Sequence, residues 1–394
     1  MPRFVNFLPA FAACLALMLS ACVTPPVEEA AKTPPAVAEV PQKSLKAASF
    51  ADLPGWGADT LKEAWPAFLY SCRSLKKQDA WREICVAAQQ VDAESESDIR
   101  AFLEDSLAPW QIVLTDGTES GRITGYYEPL LEGSRQPKDA FRTPLYRVPE
   151  DMVVVDLASL YPKLKGMRLR GRLEGRRLVP YLSRADIRQG DHLAGQEIVW
   201  VNDAVDAFFL EVQGSGRVHI AETDETIRLA YGDQNGHPYR SIGRYLVDKG
   251  EMALSEASAQ GIRKWLAAHP DRFDEVLNAN PSYVFFREEK LDDPAIGPKG
   301  ALGVPLTGAR SVAVDPRYIS LGMPLFIDTT EPNRTTPLQR LVMAQDTGGA
   351  IKGVLRLDYF WGFGQAAGEQ AGKMKQSVRI WLLQPKITPE KTIR

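Results

Sequence analysis

Histidine is scarce: four residues (His192, His219, His237 and His269) stand among 394, and no two fall at a metal-ligand spacing. That argues against a metal centre, and each reads as a surface or hydrogen-bonding residue. Charge of one sign is lacking too. A formal net charge of −3 gives no reason to expect nucleic acid. The one basic cluster, Arg168, Arg170, Arg172, Arg176 and Arg177, alternates with apolar residues as the solvated face of a hairpin would. No Walker A or dinucleotide fingerprint occurs, so no cofactor is implied. Gly214-Ser215-Gly216 lacks the full nucleophile elbow, with no His/Asp pair at a recognisable spacing. Past residue 20 no run approaches the roughly 20 apolar residues that span a bilayer. No internal repeat is apparent.

What is present describes a secreted globular protein. Apolar residues make up 44% and charged residues 25%, enough for one large core or two ordinary ones. Arg3 precedes an apolar stretch, residues 4–19, and then Leu19-Ser20-Ala21-Cys22. That tetrapeptide resembles the lipobox of bacterial lipoproteins, which implies a signal peptide over 1–21 and lipidation of Cys22. The alternatives are plain cleavage after Ala21 or an uncleaved anchor. Val23 in place of aspartate resembles the outer-membrane sorting pattern, so the expected location is the periplasmic side, lipid-anchored to the outer membrane. Residues 22–49, rich in Pro, Ala, Val, Glu and Lys, cannot bury enough apolar surface to order themselves and read as a semi-stiff tether.

Of four cysteines, Cys14 lies in the signal and Cys22 is the lipid site. Cys72 and Cys85 fall in two expected helices, 60–75 and 78–91, across the polar break Lys76-Lys77-Gln78-Asp79. In an oxidising periplasm a Cys72–Cys85 bridge is the preferred reading, over two buried free thiols. A third helix is expected over 96–106. Strand-like runs follow at 122–127, 152–157, 178–181, 197–201, 208–213 and 218–221, and helices at 241–249 and 255–269, the latter with Ser255 as N-cap. Strands resume at 284–287, 311–314, 325–328, 339–344, 354–357 and 378–383.

The most informative stretch runs from Ala344 through Asp346-Thr347-Gly348-Gly349 to Asp358-Tyr359-Phe360-Trp361-Gly362. Two aspartates end short apolar runs joined by a Gly-rich turn, a pattern that can bring both to one rim of a small sheet. Rings beside a carboxyl suit carbohydrate chemistry, because they stack on sugar C–H faces and exclude water, which raises a carboxyl pKa. Val312-Ala313-Val314-Asp315-Pro316 supplies a third aspartate. Together Asp315, Asp346 and Asp358 resemble the three-aspartate motif of the 3D cell-wall domain. Gly125-Tyr126-Tyr127-Glu128-Pro129, Val212-Gln213-Gly214-Ser215-Gly216, Tyr239-Arg240-Ser241-Ile242-Gly243 and Asn280-Pro281-Ser282-Tyr283-Val284-Phe285-Phe286 resemble segments of the membrane-bound lytic transglycosylase A family, in the family's order.

The resemblance implies a mainly β fold with an α-helical N-terminal part: a six-stranded double-psi β-barrel with a second small β domain inserted. The expected divisions are 50–143 (helices and first part of the barrel), 144–282 (insertion), 283–385 (rest of the barrel, the 3D domain) and a tail, 386–394. It also implies a periplasmic, metal-independent lyase, a lytic exotransglycosylase of peptidoglycan, with cell-wall synthesis or division complexes as candidate partners. Asp358, in the family's D-[IY]-[YF] context, is then the acid and base, and Asp346 supports it. Asp315 reads as a turn or strand-end cap. Tyr126, Tyr127, Glu128, Gln213, Ser215, Tyr239, Arg240, Phe360 and Trp361 are candidate glycan contacts, and the arginine cluster could hold anionic peptidoglycan. The rival readings are an inverting glycoside hydrolase, with Asp346 as base, and a non-catalytic wall-binding lipoprotein.

Overall fold

Leu61, Ala64, Trp65, Phe68, Cys72 and Leu75 recur at three- and four-residue intervals. In the computed structural model they form the buried face of helix α1 (Leu61–Leu75). The structure describes residues 42–332 and 335–386. The expected signal segment, Cys22, most of the tether and residues 387–394 lie outside the described residues. Helices α2 (Asp79–Ala87) and α3 (Glu96–Ser106) pack beside α1. A Cys72–Cys85 disulfide joins the first two, with Cα atoms 5.3 Å apart, as the cysteine positions predict.

Strand β1 (Lys43–Ala47) precedes these helices, and β2 (Leu107–Leu114) and β3 (Gly121–Glu128) follow them. Next come β4 (Leu130–Ser134), β5 (Thr143–Tyr146), β6 (Val153–Val154), β7 (Arg170–Glu174), β8 (Arg177–Pro180), helix α4 (Arg184–Gln189) and β9 (Glu197–Val201). Helix α5 (Ala204–Gln213) leads to β10 (Gly216–Ile220), β11 (Glu225–Gln234), helices α6 (Ile242–Asp248), α7 (Ala259–Ala268) and α8 (Phe273–Asn278), and β12 (Val284–Lys290). The C-terminal part holds β13 (Ser311–Ala313), β14 (Pro324–Thr330), β15 (Pro337–Asp346), β16 (Arg356–Phe363), helix α9 (Gly364–Lys373) and β17 (Lys375–Pro385).

One sheet runs β1-β2-β17-β14-β15-β13-β16-β3, and a further β17–β3 pairing bends it into a nearly closed, barrel-like sheet. Its interior is filled by Ile123, Val312, Leu325, Val342, Leu357, Tyr359 and Ile380, none of them exposed. A second sheet runs β12-β11-β10-β4-β9-β5, with its own apolar cluster. Strands β6, β7 and β8 form a third, small sheet that carries the arginine hairpin.

Four expectations change. The run 208–213, read as a strand, lies in helix α5. Asp203 caps that helix by accepting from Val205 N and Asp206 N, and Val205, Ala207, Phe208 and Leu210 are buried on several sides. Short apolar runs buried this way carry no period that separates helix from strand. The N-cap of α7 is Ser258, which accepts from Gly261 N, not Ser255. The last tether residues, Lys43–Ala47, are ordered as edge strand β1 by pairing with β2, because a neighbouring strand supplies the hydrogen bonds that composition alone does not. Finally, the chain leaves the barrel-like sheet after Glu128 and returns to it at Ser311, outside the expected limits of 144 and 282. β4 and β12 therefore belong to the second sheet.

Candidate active site

Strand β13 is short and buried, and its Ala313 stands opposite two acids at once. In parallel register it meets Asp346 of β15, and in antiparallel register Asp358 of β16. Strand β3 pairs with β16 in parallel, which sets Thr124 opposite Asp358 and Tyr126 opposite Phe360. Side chains two residues apart share a face of a strand. Thr124 and Tyr126 therefore point the same way, as do Arg356 and Asp358. All four line one cleft with Asp346, and Gln213, Tyr231 and Tyr239 line it from the other side.

Asp358 is held by Thr124 Oγ1, which donates to its Oδ1 at 2.5 Å. Burial pushes the Asp358 carboxyl up to about 6. The Thr124 hydrogen bond and the Arg356 guanidinium oppose that rise, while the Asp346 charge adds to it. Asp346 accepts from Ala301 N and Thr347 N at 2.9 Å and from the Tyr126 hydroxyl at 3.0 Å. Burial raises its pKa too, against these three donors. Tyr126, half-buried beside both acids, is pushed well above its usual range by desolvation and stays a proton donor. The arrangement is one acid poised to exchange a proton near neutrality, beside a second whose oxygens are fixed as acceptors.

Not every residue singled out from the sequence lies at the cleft, and Asp315, read as a cap, was not expected there. Asp315 lies away from it, 1% exposed, where Arg317 and the Gly353 N–H hold its carboxyl down to about 2. Its bond to Gly353 anchors the turn between β15 and β16. Glu128, expected to contact sugar, is 0% exposed and closed in by Arg217 at 2.9 Å and Arg228 at 2.6 Å. A rim carboxylate would be solvated; this one lies where the chain passes between sheets and is neutralised there. Phe360, 2% exposed, packs behind Tyr126 with ring centroids 5.1 Å apart. Trp361 packs on Tyr359 and points its Nε1 at Met374 Sδ, 3.3 Å away. These two rings back the cleft wall and do not line it. Tyr127 gives its backbone N–H to Gln213 Oε1 at 3.1 Å, and its ring lies against Gly368. Ser215 and Arg240 lie outside the cleft lining, whereas Gln213 and the 43%-exposed Tyr239 lie within it.

Several residues were not singled out from the sequence. Thr124 and Arg356 were legible in principle, each two residues from one already chosen on the same strand face. Arg184 and Glu211 form a buried bidentate pair at 2.9 and 2.8 Å, and Glu211 also accepts from Val284 N. They tie α4, α5 and β12 together at the cleft, whose lining includes Glu211, and no sequence spacing announces the pair.

Two family models match: the MltA specific insert domain over residues 122–287 and the 3D domain over 310–384. The membrane-bound lytic murein transglycosylase A of Escherichia coli (strain K12) is 33% identical over 293 residues, 73% of this chain and 72% of that protein. The structure is similar to that of MltA from Neisseria gonorrhoeae, with a TM-score of 0.77 at 38% identity, covering 88% of this chain and 94% of that one. It is also similar to Escherichia coli MltA with bound chitohexaose, with a TM-score of 0.64 at 26% identity, covering 83% and 90%. Agreement in sequence, in both family segments and in fold extends over most of the described chain, and the chain belongs to the membrane-bound lytic murein transglycosylase A family.

Proposed function

We propose that this chain is a peptidoglycan lytic transglycosylase in which Asp358 serves as both acid and base. The observation that carries the reading is the cleft that holds Asp358 beside a second carboxyl, Asp346, each fixed by a hydroxyl of β3; burial there pushes Asp358 up to about 6. At pH 7 about one molecule in ten then holds the proton, against fewer than one in a thousand for an ordinary aspartate. In the first step the Asp358 proton passes to the glycosidic oxygen as the β-1,4 bond from N-acetylmuramic acid to N-acetylglucosamine breaks. Asp346 faces the positive charge that develops on the sugar. In the second step the Asp358 carboxylate takes the proton of the sugar's own C6 hydroxyl, which attacks C1 and closes a 1,6-anhydro ring. The attacking group is already tethered, which removes much of the entropic barrier, and one carboxyl suffices because no water needs activating.

On this reading the glycan lies along the cleft against Tyr239, Gln213 and Tyr231, residues whose rings and amide suit sugar faces and acetamido groups. The barrel-like sheet is read as a double-psi barrel, and the second sheet with its helices as the insertion. Lipidation of Cys22 would tether the enzyme to the outer membrane; among the described residues no helix is long and apolar enough to cross a membrane. Digestion of purified sacculi tests the activity. Anhydro-ended muropeptides, one water lighter than hydrolytic products, are expected in the mass spectrum. Reducing ends instead would indicate an inverting hydrolase with Asp346 as base, and no soluble fragments a wall-binding protein.

A further inference from the structure

Within the arginine hairpin, two members are neutralised where they stand. Arg170 pairs with Asp233 at 2.8 Å, both largely buried, and Arg172 pairs with Glu174 at 2.6 Å. Arg168 differs. It is exposed at the cleft, and among the described residues it makes no ion pair. Its guanidinium lies over the Tyr231 ring, 5.7 Å from the centroid, and gives one hydrogen bond to the Tyr231 hydroxyl at 3.2 Å. A guanidinium in that setting keeps most of its donors free and is weakly hydrated, so it is ready for a carboxylate.

The arginine is also held in position from below. Gly236 has φ +81°, and a Cβ there would stand 2.9 Å from the backbone nitrogen and Cβ of Arg170 and 3.3 Å from the Arg168 carbonyl oxygen. The loop after β11 therefore admits the hairpin only because that position is glycine. The Arg170–Asp233 pair clamps the same segment. The cleft's reactive groups are two aspartates, and its other cation, Arg356, is already engaged by Thr124 Oγ1 and the Leu357 carbonyl, so a negatively charged glycan meets like charge unless a further cation stands by.

Resting on the transglycosylase reading above, we propose that Arg168 is a specificity residue: it binds the carboxylate that muramoyl residues carry on the lactyl arm or its peptide, and so separates peptidoglycan from neutral chitin-type strands. The bond is a charge-assisted, non-covalent pair, best formed bidentately by an arginine.

Binding is measured by calorimetry in Asp358→Asn protein, so that chemistry does not intervene. Four probes are used: a peptide-free GlcNAc–MurNAc tetrasaccharide with free lactyl carboxylates, its carboxyl-amidated form, a peptide-bearing form, and chitotetraose. Adding Arg168→Gln is expected to weaken at least one acid-bearing probe by about tenfold or more, roughly the worth of one charge-assisted hydrogen bond. The amidated form and chitotetraose should change by less than about twofold. Loss already present with the peptide-free probe assigns the lactyl carboxylate; loss confined to the peptide-bearing probe assigns a peptide carboxylate. Arg168→Lys should restore part of the loss. No loss, or equal loss with all four probes, overturns the proposal. The sacculus digestion by the unmodified enzyme tests the transglycosylase reading separately.

Discussion

Thr124 and Asp358 face each other across the β3–β16 register, and Thr124 Oγ1 gives its one proton to the carboxylate while accepting from Arg356 Nη2 at 2.7 Å. The hydroxyl's direction is thereby fixed: an arginine cannot accept, so the proton must point at Asp358. Thr124 and Arg356 both favour the charged form of the acid, while burial and Asp346 favour the neutral form.

That balance sets the direction in which the pH profile moves. If Asp358 must enter the reaction protonated, kcat/KM falls as pH rises through about 6. Thr124→Val and Arg356→Met each remove a group that stabilises the carboxylate, so both should move this limb to higher pH. Asp346→Asn removes a negative neighbour and should move it lower. Rates on a soluble glycan from pH 4 to 9 check all three, and a limb that stays put in every variant would show that another group titrates.

The Cys72–Cys85 bridge closes a loop with a sequence separation of 13. Removing it should cost about 3 kcal/mol, by restoring freedom to the unfolded chain. Urea unfolding of Cys72→Ser/Cys85→Ser measures this. Thiol titration of the denatured, unreduced protein should find neither Cys72 nor Cys85 free.

Asp315 acts at a distance. Its carboxylate holds the Gly353 N–H at 2.8 Å, and the turn so anchored feeds directly into β16. Asp315→Ala should destabilise the fold by about 1–3 kcal/mol, the worth of hydrogen bonds to a buried charged group. With the carboxyl near 2 in the fold, that contribution is present above the ordinary aspartate range and fades as pH falls toward 2. Comparing unfolding of the two proteins at pH 7 and pH 2.5 should show the gap narrowing at the acid end.

How much of this was legible beforehand depended on the kind of signal. Helix α1 announced itself by its spacing, and the disulfide by the small number of cysteines left to pair. Asp346 and Asp358 stood out because each ends an apolar run beside glycine or aromatic residues. Glu128 was misplaced because Tyr126 and Tyr127 beside it suggested a sugar-binding rim. Its partners Arg217 and Arg228 lie 89 and 100 residues away and meet it only through sheet pairing. Phe360 and Trp361 failed for a related reason. Sequence shows that rings adjoin a carboxyl, but the strand bulge between Phe360 and Phe363 and the packing of Tyr126 decide which way they face.

The acid itself should carry a measurable cost in stability. An aspartate whose pKa is raised from 3.8 to about 6 binds its proton more tightly folded than unfolded. Its neutral form leaves stability untouched below the unfolded value, and stability then falls as pH rises through the interval up to about 6. By linkage the loss at pH 7 is up to about 3 kcal/mol. Asp358→Asn keeps the size and an oxygen to accept from Thr124, but has no charge to bury. The variant should therefore be more stable than the wild type at pH 7, by about 1–3 kcal/mol, and within about 0.5 kcal/mol of it near pH 4. It should at the same time lose 10²–10⁴-fold or more in activity, because one group serves both proton transfers. Urea unfolding at the two pH values, together with muropeptide release from sacculi, tests the pair of effects. A variant that is inactive but no more stable at pH 7 would mean that burial does not raise the Asp358 pKa, and a variant that is stabilised yet still releases muropeptides at the wild-type rate would place the acid elsewhere.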